Sequence, residues 1–329
     1  MYIFGPCSAE TREQVLETAR LLKEECGTIP FIYRAGVWKP RTSPDTFQGA
    51  GEEALGWLME VKETYGLRVA TEVATPDHVR TALFAGIDYL WIGARTGANP
   101  ITVQTIADTI RKTKRHPKGV LVKNPVSEDA ALWLGNIERI EQTGVPVIAV
   151  HRGCNHQPCW AMAHAVRKAK PELPLLIDPS HMSGNADKIA ALLSKAAELG
   201  YDGSMIEIHC NPSSALSDAK QQLTPAQYRA IMQSNLDNTR DISERELRWL
   251  RAEIDELDDR LWDTIAARMD VSRRIGEWKK TRGMAPLQPQ RYQEILSLRE
   301  QWADQHGLSR EFAKELFDTI HAESVKRQE

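Results

Sequence analysis

RVATEVATPDHVRTALFAGIDYLWIGAR, residues 68–95, holds one complete structural unit of this chain. Its β-branched start at 68–71 reads as a buried strand, 76–85 as a helix, Gly86 as the left-handed stop, and 88–92 as the next strand. A polar residue stands at each strand end, Glu72 and Arg95. The same alternation runs outward in both directions. Strands are expected at 2–5, 31–35, 119–123, 146–150, 174–178 and 204–208. Helices are expected at 11–25, 51–65, 101–113, 128–143, 160–169, 186–199 and 225–234, with Gly66, Gly144 and Gly200 as further stops. Eight strands alternating with eight helices in about 235 residues is the count of a closed parallel (β/α)8 TIM barrel of the α/β class. A doubly wound open sheet is the alternative, but no G-x-G-x-x-G follows the first strand.

Beyond residue 225 the composition changes. Of 20 Gly only Gly276, Gly283 and Gly307 lie there, and of 17 Pro only Pro286 and Pro289. The stretch SNLDNTRDIS marks a border, which gives a barrel at 1–235, a linker at 236–242 and a second, all-α domain at 243–329. Leu247, Leu250, Ile254, Leu257, Leu261, Ile265 and Met269 form one apolar stripe on a helix reaching about Thr281. At 1.5 Å per residue such a helix spans about 57 Å, so it must pair with another chain or lie across one. Two shorter helices, 289–304 and 309–327, complete a three-helix domain, Ser309 being the N-cap of the last.

The bulk composition sets limits. The 329 residues are 42% hydrophobic, 26% charged and 7% aromatic, as in folded globular proteins. A formal net charge of −3 gives no nucleic-acid footprint. No apolar run is long enough to span a bilayer, and the first residues carry no signal-peptide pattern, so a cytoplasmic location is expected. Five cysteines fit no disulfide framework.

Chemistry in a barrel of this type sits at the C-terminal ends of the strands, and every expected strand end carries a candidate. Cys7, His181 and Glu207 fall on strands one, seven and eight, neighbours once the barrel closes, and Asp218 follows strand eight. This mixed donor set suits one divalent first-row ion, Mn, Fe, Co or Zn. A second set is cationic: Arg34, Lys39, Arg41, Arg95, Lys123 and Arg152. Six like charges at one barrel mouth repel, and an anionic substrate is the expected reason for them. Glu72 is a partner for these cations or an acid–base group. Strand six also leads to His151, and His209 lies beside Glu207.

The motifs GPCSAE (5–10), RAGVWKPRTSP (34–44), ATEV (70–73), IGAR (92–95), VKNP (122–125), HRG (151–153), DPSH (178–181) and MIEIHCNP (205–212), in that order, resemble the type I DAHP (3-deoxy-D-arabino-heptulosonate 7-phosphate) synthases of the short beta subgroup. That resemblance implies condensation of phosphoenolpyruvate with erythrose 4-phosphate. It implies metal ligation by Cys7, His181, Glu207 and Asp218. It places phosphoenolpyruvate on Arg34, Lys39, Arg95, Lys123 and Arg152, and erythrose 4-phosphate on Arg41 and Thr42. On the same basis Lys39 donates to the developing alkoxide and Glu72 handles the attacking water. Cys7 as a thiolate is expected to be open to oxidation without metal. Octulosonate 8-phosphate synthases share the barrel, but they carry Ala-Asn-Arg where this chain has Pro40-Arg41-Thr42. Two departures stand out. No regulatory segment is expected before strand one, and the loop after Arg152 is short. In that loop Cys154, His156 and Cys159 mimic a small metal set, although their count and spacing fit no standard finger.

From about Leu250 to Gln328 the chain resembles the small all-helical chorismate mutases, entwined dimers of three-helix chains. The resemblance places Arg251, Arg268, Lys279, Gln288, Arg291, Ser324 and Gln328 on the chorismate site. Lys279 and Gln328 would face the breaking ether bond, and Arg251 would reach into the partner subunit's site. Positions 288 and 292 usually carry carboxylates and here are Gln288 and Tyr292. The expected whole is a bifunctional aromatic-biosynthesis enzyme. It is a homodimer through its helices, with pairing into tetramers left open, and prephenate or chorismate inhibits the barrel. The alternatives are a helical part that only senses ligand or dimerises, and an octulosonate 8-phosphate synthase barrel.

Overall fold

The computed structural model describes residues 1–40, 45–235 and 244–328. Eight strands close into one parallel barrel in sequence order: β1 (Tyr2–Gly5), β2 (Ile32–Arg34), β3 (Arg68–Val73), β4 (Tyr89–Ile92), β5 (Gly119–Lys123), β6 (Val147–His151), β7 (Leu175–Ile177) and β8 (Gly203–Glu207). Closure is by pairing of β1 with β8, Tyr2 against Ser204 through Gly5 against Glu207. The helices that alternate with them are α1 (Arg12–Cys26), α2 (Glu53–Tyr65), α3 (Pro76–Ala85), α4 (Ala94–Gly97), α5 (Pro100–Lys112), α6 (Ala130–Glu141), α7 (Trp160–Ala169), α8 (Pro179–Ser183), α9 (Ile189–Leu199) and α10 (Pro225–Asn235). The barrel expectation therefore holds. Two short helices, α4 and α8, were not expected. Each is a single turn after a strand, too short to show a 3.6-residue period.

Local chemistry explains the helix ends. Thr75 caps α3 by accepting the His78 amide, with Pro76 in the first turn where its missing N–H costs nothing. Gly66, Gly86 and Gly200 end α2, α3 and α9 in left-handed conformation. Gly144 is left-handed as well, but it lies two residues beyond the Gln142 cap of α6.

Two apolar layers hold the barrel. Ile3, Ile32, Ala70, Tyr89, Trp91, Leu121, Ile148, Val150, Leu176 and Met205 plug its interior. The opposite strand faces pack on the helices, through residues such as Phe4, Tyr33, Leu90 and Ile206.

Beyond the barrel, α11 (Arg245–Lys280), α12 (Pro289–Gln305) and α13 (Arg310–Lys326) form the helical part. Ser309 caps α13 by accepting the Phe312 amide. Packing divides the chain into residues 1–253 and 254–329, a division that falls inside α11. The first turns of α11 belong to the barrel unit. There Trp249 is buried and stacks on His164, whose ring nitrogens meet Glu246 at 2.9 Å and Glu253 at 2.6 Å. In the second unit Gly276 lets α11 approach the end of α13, where a Cβ would come within 2.5 Å of Gln328 Cα. Among the described residues no helix is long and apolar enough to cross a membrane. The expected linker, 236–242, lies outside the described residues.

Candidate functional site

Strand alternation builds the barrel site. Side chains two apart share a face. The inward positions directly beyond the apolar plug are thus Arg34 above Ile32, Glu72 above Ala70, Lys123 above Leu121, Arg152 above Val150, Asp178 above Leu176 and Glu207 above Met205. One step further out stand Cys7, beyond Ile3 and Gly5, and Arg95, beyond Trp91 and Gly93. Gly5 is required at its position: its φ is +144°, and a Cβ would lie 2.0 Å from the Arg34 carbonyl oxygen. Of these side chains Arg34, Glu72, Arg95, Lys123 and Arg152 line a cavity of about 340 Å³ together with Lys39, Trp91, Asn155, His156, His181, Asp218 and Gln221.

Six buried charges occupy its floor as three pairs. Arg34 Nη2 lies 3.1 Å from Glu207, Lys123 Nζ 2.6 Å from Asp178, and Lys39 Nζ 3.7 Å from Glu72. The six expected cations therefore do not simply repel one another. Three of the expected cations are matched by carboxylates from other strands of the barrel, because a buried charge is retained only when paired. Arg95 and Arg152 stand nearer the mouth. Arg152 donates to the carbonyl oxygens of Gly153 and His181 at 3.3 and 3.5 Å. Arg34 also sits 4.7 Å from the centre of the Trp91 ring. Its Nε and Nη1 are buried and have no hydrogen-bond partner among the described residues.

The pKa directions follow from this pairing. Burial alone would raise the Asp178 carboxyl, but His181 and Lys123 outweigh it and hold it well below the usual range. Glu207 is lowered against its burial by His181 and Arg34. Lys123 is lowered by burial despite Asp178. Burial also works against charge on Lys39, yet Cys7 and Glu72 prevail and raise it.

Three of the four expected metal ligands cluster, and the fourth, His181, stands against Glu207. The donor atoms of Cys7, Glu207 and Asp218 lie within 4.8 Å of one another, and His181 Nε2 is 3.5 Å from Glu207. His181 Nδ1 meets Asp178 at 3.0 Å, which leaves Nε2 as the lone-pair nitrogen on the cluster side. Gln221 donates to Glu207 at 2.7 Å and Ser180 accepts the Glu207 amide. A thiol, an imidazole and two carboxylates at this spacing fit a divalent first-row ion. Cys7 differs from expectation in one respect. It is fully buried beside Glu207 and Asp218, burial first and then Glu207 push its thiol well above the ordinary range, and Sγ donates to Asp218 at 3.0 Å. Without metal it is a shielded thiol and no exposed thiolate.

Arg41 and Thr42 lie outside the described residues. His151 points away from the cavity, between Trp133, Trp160 and Tyr201. Burial, then Arg152, lowers its pKa to about 3. His209 turns to Glu10 and accepts the Asn211 amide. Sequence reasoning gave no role to Asp178, Gln221, Asn155 or Trp91. The Asp178–His181 spacing of three residues across one helical turn was the available signal.

In the second unit four expected residues meet. Arg268 donates to Ser324 Oγ, and Lys279 Nζ donates to Gln328 at 2.8 Å and to the Pro286 carbonyl at 2.6 Å. Arg268 and Arg291 line one apolar groove with Arg299, which the sequence reading did not single out. Burial first, then Arg299, lowers Arg268. Gln288 is the exposed N-cap of α12. Arg251 falls in the first unit and is not among the residues that the second unit brings together. Tyr292 donates its hydroxyl to Asp318.

Comparison with known proteins agrees with both regions. The DAHP synthetase I family model matches residues 1–244, and the chorismate mutase type II model matches residues 250–329. A phospho-2-dehydro-3-deoxyheptonate aldolase of Thermotoga maritima is 34% identical over 239 residues, which cover 70% of this chain and 67% of the relative. A 2-dehydro-3-deoxyphosphooctonate aldolase of Legionella pneumophila is 28% identical over 257 residues, 70% of this chain and 89% of that one. A crystal structure of the Thermotoga maritima DAHP synthase superposes with a TM-score of 0.62 at 31% identity, over 71% of this chain and 67% of that one. Its truncated form gives 0.59 at 28% identity, over 71% and 84%. The chain belongs to the DAHP synthetase I family and joins to that barrel a chorismate mutase type II domain, and it is an enzyme of both classes.

Proposed function

We propose that the barrel uses one divalent metal ion to condense phosphoenolpyruvate with erythrose 4-phosphate. We also propose that the helices convert chorismate to prephenate, and that prephenate or chorismate bound there inhibits the barrel. Composition would put the border between the two functions at residues 236–242. The observation that carries the first part is Arg34, a fully buried guanidinium at the cavity wall with two donors unfilled. Such donors cost stability unless an anion takes them up. Phosphoenolpyruvate brings a carboxylate and a phosphate, and Lys123, Arg95 and Arg152 border the same cavity.

The residues then divide the work. C3 of phosphoenolpyruvate attacks the aldehyde carbon of erythrose 4-phosphate, and Lys39, kept protonated by its acidic neighbours, gives its proton to the new alkoxide. Water adds at C2 while Glu72, 3.7 Å from Lys39, takes the proton that water loses. The C2–O bond to phosphorus-bearing oxygen breaks and inorganic phosphate leaves a ketone. A divalent ion held by Cys7, His181, Glu207 and Asp218 would polarise the aldehyde carbonyl. Asp178 keeps His181 oriented and Lys123 paired until substrate arrives. Pro40-Arg41-Thr42 in the sequence favours the four-carbon sugar over arabinose 5-phosphate. Comparing the two aldoses in release of phosphate from phosphoenolpyruvate tests this, and faster turnover of arabinose 5-phosphate would overturn it.

In the helices, Arg268, Arg291 and Arg299 around an apolar groove suit the two carboxylates of chorismate, and the Lys279–Gln328 pair suits its ether oxygen. A homodimer through α11 is supported by exposed Ile254, Leu257, Leu261, Trp262 and Trp278. Loss of chorismate absorbance on adding the protein tests turnover. Tyr292 favours a second reading, a ligand sensor without turnover, since its hydroxyl is bound to Asp318 where a carboxylate would serve chorismate. No absorbance loss above background would decide for that reading. Inhibition of the condensation by prephenate, abolished by Arg268→Ala, tests the regulatory part.

A further inference from the structure

The short loop after β6 carries strain that its packing alone does not require. Cys154 and Gln157 exchange both backbone hydrogen bonds, N to O at 2.9 and 2.8 Å, and so close a two-residue turn. The central residues Asn155 and His156 both have positive φ, 49° and 62°, the pattern of a type I′ turn. That turn favours Asn followed by Gly. A histidine in the second position pays a steric penalty that glycine would avoid. Only four non-glycine residues among those described have positive φ, and three of them, Asn155, His156 and Asp218, line the one cavity described above. Asp218 is a metal-ligand candidate. Strain gathered at one site points to function there.

The position of the turn says which function. It follows Arg152 directly, so it stands on the β6 side of the barrel mouth. β4, β5 and β6 carry Arg95, Lys123 and Arg152, three of the expected phosphoenolpyruvate contacts. The imidazole packs against Gly184, where a Cβ would come within 2.7 Å of Nδ1. Gly184 ends α8, the helix of His181, and Arg152 donates to the His181 carbonyl. Packing on Gly184 therefore fixes the ring at the wall of the cavity that Arg152 also lines.

We infer that His156 is a specificity-determining residue for phosphoenolpyruvate, its imidazole adding a hydrogen-bond donor to the cavity wall that it shares with Arg95, Lys123 and Arg152. The inference rests on the condensation reading, and its test is binding, which that reading's failure would not remove. His156→Gly in the full chain takes away the ring and relaxes the turn. Titration calorimetry with phosphoenolpyruvate, and separately with inorganic phosphate, should show affinity about tenfold weaker. The melting temperature should stay equal or rise, and affinity for Mn²⁺ should not change. His156→Asn, which tolerates left-handed φ and keeps a donor, should recover part of the loss. In steady state the KM for phosphoenolpyruvate should rise while that for erythrose 4-phosphate stays within twofold. Unchanged phosphoenolpyruvate affinity in His156→Gly overturns the inference. So does a loss accompanied by lower melting temperature and weaker Mn²⁺ binding, since the ring would then only brace α8. A wild-type protein that binds phosphoenolpyruvate but does not condense it sinks the condensation reading alone.

Discussion

Gly93→Ala should disable the barrel chemistry while leaving the barrel standing. Gly93 sits between β4 and α4 with φ −71° and ψ 161°, an extended conformation that alanine adopts freely. Only space forbids the change. A Cβ built there lies 2.0 Å from Glu72 Oε1 and 3.0 Å from Cδ. A carbon and an oxygen in contact need about 3.4 Å, so the carboxylate must retreat by more than about 1 Å. It is the end of a flexible side chain, and a rotamer change of this size costs about 1 kcal/mol. The melting temperature should therefore fall by no more than about 4 °C. The catalytic cost is larger, since a misplacement of about 1 Å at a reacting group lowers turnover by about 10²-fold. The assay is kcat for phosphate release from phosphoenolpyruvate with erythrose 4-phosphate, in Gly93→Ala, Glu72→Gln and the double variant. Both single variants should lose about two decades, and the double variant no more than either, because both act through one carboxylate. Wild-type kcat in Gly93→Ala refutes a catalytic Glu72. Additive losses in the double variant refute the mechanism in another way, by showing that the new methyl obstructs substrate rather than Glu72.

Three further outcomes are expected. Asp178→Asn should weaken Mn²⁺ binding by about 10- to 100-fold in a calorimetric titration, because His181 loses the acceptor that orients it. Lys279→Ala should lower kcat for chorismate by about 10²–10³-fold, followed by absorbance, if the ammonium meets the breaking ether. His151 gives a pH test. Its native pKa is about 3, below an unfolded value near 6.5, so between these the unfolded chain binds a proton that the native ring refuses. Its contribution is complete above pH 6.5 and drains away as pH falls towards 3, at up to about 1.4 kcal/mol per unit. His151→Gln should flatten the decline of the urea midpoint between pH 6.5 and 4, and an unchanged slope would exclude His151 as a source of acid sensitivity.

The barrel was legible because its signal repeats. Each strand and helix is short, bounded by a glycine or a capping residue, and eight repetitions outweigh an error at any one boundary. The strand-end residues were legible for the same reason, since a period of two carries each from the apolar plug to the mouth. Three things were not. The one-turn helices α4 and α8 lack the length for a period. The outward turn of His151 was missed because a strand's last residue was read as pointing to the mouth, whereas alternation from Val150 to Arg152 puts His151 on the other face. The strain at His156 was hidden because positive φ leaves a reliable mark in sequence only when glycine supplies it.

The cations show most clearly what sequence can and cannot weigh. Counted along the chain they were six like charges awaiting an anion. In the fold, Arg34, Lys39 and Lys123 each face a carboxylate, so the site is close to neutral on its floor and the drive to bind an anion is not simple repulsion. What remains is more specific. Arg34 uses Nη2 on Glu207 and the Cys7 carbonyl and leaves Nε and Nη1 open, so the demand is for an acceptor at one place and in one plane. A neutral floor with a directed vacancy discriminates by shape as well as by charge. It binds a planar carboxylate or a phosphate at that point and gives little to a diffuse counterion. The same surroundings hold Asp178 and Glu207, the two carboxylates that meet His181, below the usual carboxylate range, as binding of a divalent cation requires. The same pairs thus serve the anion and the metal, and Glu207→Gln should weaken both: Mn²⁺ loses a ligand, and Arg34 loses the partner that aims its fork into the cavity.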